Sequence, residues 1–184
     1  MVQKFYPPND LNPLRTWTGI IKEFHSIDWG QTFHHLYSFC NNKKLMQFQY
    51  KLLMRISTCK SMRFKMKIEA DDTCSKCLDG TETLEHIFME CPVSKIFTEK
   101  LNDFIRNNFL NTYQDDNNYF LLSCNHDNDI INYLNLVGKW FLSLCYQTKA
   151  DTNWCHFKKL VSKMLNAEKK SISRAISSAL SPEL

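Results

Sequence analysis

Cys74, Cys77, His86 and Cys91 stand at the spacing C-x2-C-x8-H-x4-C. Thiolates and imidazoles are the donors zinc takes, four at a time and tetrahedrally, and three Cys with one His is a common closed set. Soft sulfur ligands exclude Mg and Ca as occupants. A C-x2-C turn lets two thiolates approach one ion from adjacent bends of the backbone, and Gly80 supplies the turn between the two halves. The set implies no open water position, so the expected cofactor is one structural Zn2+ and not a hydrolytic one. Residues 81–90 can form a short helix that presents His86. In an ideal helix Cys91 would then lie about 140° around from it, so that helix must end near Cys91. Pro92 fits the ending, because it biases the residue before it away from helical geometry.

The remaining cysteines are Cys40, Cys59, Cys124, Cys145 and Cys155. Cys40 and Cys145 fall on apolar helix faces and are expected to be core thiols. Cys124 with His126 and Cys155 with His156 are the pieces of a conceivable second site, but the spacing between them is long and irregular. Burial or indifferent exposure is the expectation for these.

A second constellation lies just upstream. Lys43, Lys44, Lys51, Arg55, Lys60, Arg63, Lys65 and Lys67 fall within 25 positions that contain no Asp or Glu. The net charge of +4 thus conceals a +8 block and a remainder at −4. Clustered cations neutralise phosphates and release counterions. Lys76 adds one more inside the cysteine cluster. Phe48, Tyr50 and Phe64 are interleaved aromatics, candidates to stack on exposed bases, although helical spacing suits core packing equally well. These nine cations are the expected nucleic-acid contacts.

No catalytic site assembles. Tyr113-Gln114-Asp115-Asp116 spells a polymerase signature, but two-metal phosphoryl transfer needs a further carboxylate from another strand, and the tetrapeptide sits in an Asn-rich stretch. There is no phosphate-binding glycine loop and no nucleophile elbow. The expectation is no enzyme and no small-molecule substrate. Met1 to Pro8 has no apolar signal region, and the greasiest stretch, 134–146, carries Asn135 and Lys139 and is too short for a bilayer. A chain without these segments is expected inside the cell, in nucleus or cytoplasm, with reduced thiols and no membrane partner.

The positioning elements read as nearly all α, within 184 residues that hold only 4 glycines. Helical spacing predicts a helix over 14–25. A second starts after an Asp28 N-cap, with Trp29, Phe33, Leu36, Tyr37 and Cys40 on one face, and Asn41 and Asn42 end it. A third runs over 43–57, burying Leu45, Phe48, Leu52, Leu53 and Ile56. Residues 61–68 alternate like a strand, yet Thr58 as an N-cap, with Met62 and Met66 four apart, favours a short helix. Pro92 opens an amphipathic helix with Val93, Ile96, Phe97, Leu101, Phe104 and Ile105 inward. Residues 107–129 read as a long loop around apolar 119–122, followed by helices over 130–147, 152–166 and 168–180. The fold class is mainly α, a small helical domain with an embedded zinc knuckle. Residues 1–68 are N-terminal helices with the basic block, 69–92 the knuckle and 93–184 C-terminal helices that continue the first domain.

Glu82-Thr83-x-x-His86-x4-Cys91-Pro92, preceded by Cys74-x2-Cys77, resembles the zinc-binding segment near the C-terminus of LINE-type (non-LTR) retrotransposon reverse transcriptases. Phe48-Gln49-Tyr50-Lys51-Leu52-Leu53-Met54-Arg55-Ile56-Ser57-Thr58 is similar to that family's aromatic-Gln-x-Lys-hydrophobic-hydrophobic-His-Arg-hydrophobic stretch, Asp28-Trp29 resembles its recurrent Trp, and Val137-Gly138-Lys139-Trp140-Phe141 resembles its closing helix. The likeness spans residues 28–170. It departs at Met54, where many members have His, and at Phe97, where many have Trp. It implies a nucleic-acid-binding accessory that engages element RNA or target DNA during target-primed reverse transcription. The alternatives are a protein-interaction module braced by zinc and a non-functional relic of a retroelement.

Overall fold

The computed structural model describes residues 27–113, 117–122 and 128–180. The helix expected over 14–25 lies outside them, as do Gln114, Asp115 and Asp116. The fold is mainly α, and no strand occurs among the described residues; Thr73 and Thr81 form an isolated antiparallel bridge.

Helix α1 spans Trp29–Phe39 and α2 spans Lys43–Leu53. Asp28 caps α1 by accepting from the Gln31 amide at 2.9 Å. Trp29, Phe33, Leu36 and Phe39 turn inward, whereas Tyr37, expected there, is exposed. Asn42 does not close α1 but opens α2, accepting from the Lys44 amide at 3.0 Å. That is the better use of an Asn, whose side chain satisfies the orphan donors of a helix start.

The third expected helix stops early. The Arg55 amide donates to Leu52 O at 3.0 Å and the Ile56 amide to Lys51 O at 2.8 Å, with Arg55 left-handed at φ 55°. This closure satisfies the last carbonyls of α2 and turns Ile56 out into solvent. The ambiguous 61–68 segment resolves as α3, Lys60–Lys65, with Cys59 rather than Thr58 at the cap. It closes in the same way. The Lys67 amide donates to Phe64 O and the Ile68 amide to Arg63 O, both at 2.9 Å, and Lys67 has φ 60°.

Helix α4 spans Pro92–Asn108, α5 Asn117–Leu122, α6 Asp129–Thr148, α7 Trp154–Leu165 and α8 Lys170–Leu180. The 119–122 piece expected within a loop therefore belongs to a short helix. Phe97, Leu101 and Ile105 bury the inner face of α4, but Ile96 points to solvent. Helix α6 is the hub and packs against α1, α2, α4, α5, α7 and α8. Gly138 allows α4 to come close, since a Cβ there would stand 2.7 Å from Leu101 Cδ2. No described helix is long and apolar enough to cross a membrane.

Two buried polar clusters fix the packing. Gln49 Nε2 donates to the carbonyls of Leu121 and Leu122 at 2.9 and 2.8 Å, and the fully buried Lys139 ammonium donates to Gln49 Oε1 at 2.6 Å and to Leu121 O. Together they satisfy carbonyls at the end of α5, which would otherwise be buried orphans. Glu168, between α7 and α8, accepts from the Asn41 and Asn42 amides at 2.7 and 3.1 Å. Burial and then the Glu168 charge push the Cys40 thiol up to about 12.

Candidate metal centre

Cys74 and Cys77 sit in a tight loop closed by the Thr73–Thr81 bridge. The Cys74 amide donates to Gly80 O at 2.9 Å, and the Leu78 amide to Cys74 O at 3.1 Å. Gly80 takes φ 72°, as expected of the turn residue, and brings the loop back beside the His86 ring. Leu78 is also left-handed, φ 59°, and exposed, so an L residue stands where glycine would cost less.

The second half answers the angular problem that the sequence posed. After one helical step, residues His86–Glu90 form a π-helical turn. The Cys91 amide donates to His86 O at 2.7 Å, an i→i+5 bond. This wider turn takes the place of the 100° steps that would have separated the two ligands, and such turns recur at functional sites. Cys91 is extended, φ −61° and ψ 126°, and Pro92 starts α4 behind it.

The four donor atoms of Cys74, Cys77, His86 and Cys91 all lie within 4.8 Å of one another. Cys74 Sγ and Cys91 Sγ are 3.9 Å apart, and Cys77 Sγ is 3.3 Å from His86 Nε2. Cys74, Cys91 and His86 are buried and Cys77 is half-buried. This is a group that can hold one metal ion. Three thiols this close resist ionisation together unless a cation offsets the charge. Desolvation pushes the Cys77 thiol up to about 11, and the neighbouring Cys74 and Cys91 sulfurs reinforce this against the Asp79 backbone contact. Cys91 goes the other way. Burial works against its ionisation, but the Tyr146 hydroxyl and the Ser94 and Val93 amides outweigh it and hold the thiol below its ordinary value. The first turn of α4 thus acts as an anion site for one ligand.

Supporting contacts reach the ligands from other elements. The Lys76 amide lies 3.5 Å from Cys74 Sγ. Tyr146 of α6 and Ser94 of α4 are hydrogen bonded at 3.0 Å beneath Cys91. Glu82 is buried and accepts from the Lys60 amide at 3.2 Å, the Ser75 amide at 3.0 Å and the Ser75 hydroxyl at 2.9 Å. It therefore ties α3 to the Cys74–Cys77 loop. Neither Tyr146 nor Glu82 stood out as a supporting residue in the sequence. The signal for Tyr146 is a phenol inside an apolar helix, and for Glu82 its place at the head of the Glu82-Thr83-x-x-His86 stretch.

The basic block divides into two groups. Arg55 pairs with Glu85, Lys60 with Asp71 at 2.6 Å and Arg63 with Glu69 at 3.1 Å, so acids later in the chain neutralise three of the eight. Lys76 donates to Ala150 O and lies 6.0 Å from the Tyr146 ring centroid, tied to the α6–α7 junction. Lys43, Lys44, Lys51, Lys65 and Lys67 are exposed and form no ion pair among the described residues. Of the three aromatics, Phe48 is core, edge-on to Trp140 at 5.1 Å, and Tyr50 packs on Phe33 at 5.8 Å. Phe64 alone is exposed.

Cys40, Cys59 and Cys145 are buried free thiols. Cys155 and His156 are exposed and gather no further ligand among the described residues, while Cys124 and His126 lie outside them. Tyr113 is buried and accepts from Asn135 Nδ2 at 3.2 Å, serving the packing. Compared with known proteins, the chain matches no protein-family model, no curated protein and no solved structure.

Proposed function

We propose that this chain is a nucleic-acid-binding accessory module built around one structural zinc ion. For the metal, the support is the donor set and its dimensions. A tetrahedral site with Zn–S bonds of about 2.3 Å has sulfurs about 3.8 Å apart, and Cys74 and Cys91 stand at 3.9 Å. All four positions are filled by protein, so the ion braces the loop and has no substrate position.

The observation that carries the binding role is the sorting of the basic block. Glu85, Asp71 and Glu69 pair with Arg55, Lys60 and Arg63, but Lys43, Lys44, Lys51, Lys65 and Lys67 are exposed and form no ion pair among the described residues. Ordinary exposed helices mix signs; exposed cations left over after the acids are paired are charge that a polyanion can use. The resemblance of residues 28–170 to the C-terminal segment of LINE-type reverse transcriptases names the polymer as element RNA or target DNA, and the role is binding, not polymerisation.

The test is an anisotropy titration of the zinc-loaded chain with labelled RNA and DNA across a range of salt. Log affinity should fall with log salt at about −0.7 for each single-strand phosphate contacted, near −3.5 if all five lysines engage. Joint reversal of Lys43, Lys44 and Lys51 to Glu should weaken binding at least tenfold with the helical signal unchanged. Flat salt dependence, or no binding at low salt, would overturn the role.

A further inference from the structure

Residues 64–68 are five consecutive exposed positions that alternate Phe64, Lys65, Met66, Lys67, Ile68. Phe64 is 42% exposed, Met66 58% and Ile68 68%. The alternation that mimics a strand in sequence is thus not a burial pattern. Apolar side chains repeated on a surface without a function are costly in solubility, and an exposed patch rimmed by charge marks an interaction site.

The platform is also fixed. Its backbone is pinned by the Lys67 amide to Phe64 O and the Ile68 amide to Arg63 O, both 2.9 Å. Beneath it Arg63 bonds Glu69 at 3.1 Å and Lys60 bonds Asp71 at 2.6 Å, so the nearby acids are already occupied. Lys65 and Lys67 keep their charges for an outside partner. An exposed ring on a hydrogen-bonded turn, followed within three residues by two lysines that form no ion pair among the described residues, costs little backbone ordering on binding.

We infer that this strip is a stacking platform for single-stranded nucleic acid, with Phe64 against a base and Lys65 and Lys67 on the flanking phosphates. The inference rests on the nucleic-acid reading above and specifies its substrate. A duplex hides its base faces in the stack and would use the lysines alone, leaving Phe64, Met66 and Ile68 idle. A single strand offers both π faces and phosphates, the two chemistries that exposed Phe64, Lys65 and Lys67 present within four residues.

The experiment uses the full zinc-loaded chain, a 5′-labelled 20-nucleotide RNA, and the same RNA annealed to its complement. Phe64→Ala should weaken single-strand binding about tenfold, within the range of one lost base stack. Duplex binding and the salt slope should not move, because no phosphate contact is lost. Phe64→Trp should restore affinity and lose fluorescence on adding the single strand. Lys51→Ala should weaken both ligands and flatten the slope. Unchanged single-strand binding by Phe64→Ala would overturn the platform while leaving a lysine-based contact standing. No binding of either RNA by the unmodified chain would overturn both readings. A dimer in sedimentation that Phe64→Ala abolishes, with RNA binding untouched, would assign the strip to a second copy and overturn the inference.

Discussion

The amide of Cys91 donates to the carbonyl of His86 over 2.7 Å, and this single i→i+5 bond sets the geometry of the second half of the Cys/His cluster. An α-helical continuation would carry Cys91 about 140° from His86. The π-helical turn narrows that offset, and Pro92, with no amide to donate, begins α4 just beyond. The cost of an irregular turn is set against four donors meeting at one point.

The first expected outcome is that metal and fold are linked. With free zinc at about a thousand times Kd, binding should add about 4 kcal/mol to the unmodified chain, roughly 10 °C in Tm for a domain of this size. Chelation should remove that increment. Cys91→Ala keeps the backbone bond to His86 but removes a ligand, so its Tm should be lower and indifferent to the chelator. Thermal unfolding with parallel metal analysis checks this. Equal chelator sensitivity in both chains would show that Cys91 is not a ligand.

Tyr146→Phe should lower metal affinity about 10- to 100-fold without changing the stoichiometry of one, because a partner in the outer shell orients and tunes the ligand. The hydroxyl favours the ionised Cys91, while the ring beside Lys76 would stay in place. Competition against a chromophoric chelator reads the affinity, and denaturation separates out the cost of leaving the buried Ser94 hydroxyl unpaired.

The helices and the gathering of Cys74, Cys77, His86 and Cys91 were legible because both follow local rules: apolar spacing, an Asp28 cap, Pro92 at a helix start, and thiols at metal spacing. What was not legible is non-local or involves competing signals. Asn42 has the chemistry to end one helix or begin the next, and only the Glu168 carboxylate bonding the Asn41 and Asn42 amides fixes the junction. Ile56 reads as core by its spacing, but α2 closes at Leu53 and turns it outward. Lys139 counts as a polar interruption in sequence, yet Gln49 and Leu121 bond it fully buried. The block of eight cations looked uniform because its acids, Glu69, Asp71 and Glu85, come later in the chain.

Glu82 should prove structural. Glu82→Ala leaves the Lys60 amide and both Ser75 donors without an acceptor in a buried place, at a cost of about 3 kcal/mol. Glu82→Gln is not a conservative change here, because its amide group would set a donor against one of those donors. Both variants should also bind metal more weakly, since Ser75 lies inside the Cys74–Cys77 loop. Urea titrations with and without chelator check this. A loss confined to the metal-free state would mean that Glu82 does not act through the loop.

Lys67 should show a conflict between stability and binding. It takes φ 60° at the close of α3, a conformation that costs an L residue about 1 kcal/mol and glycine much less. Lys67→Gly should therefore stabilise the fold by up to about 1 kcal/mol, while Lys67→Ala, which keeps the strain, should not. Both remove the same charge, so both should weaken single-strand binding and reduce the salt slope by about 0.7. Denaturation midpoints and anisotropy on the three chains separate the two effects. If glycine both stabilises the chain and leaves the slope intact, Lys67 has no part in the proposed contact and its left-handed turn serves only to end α3.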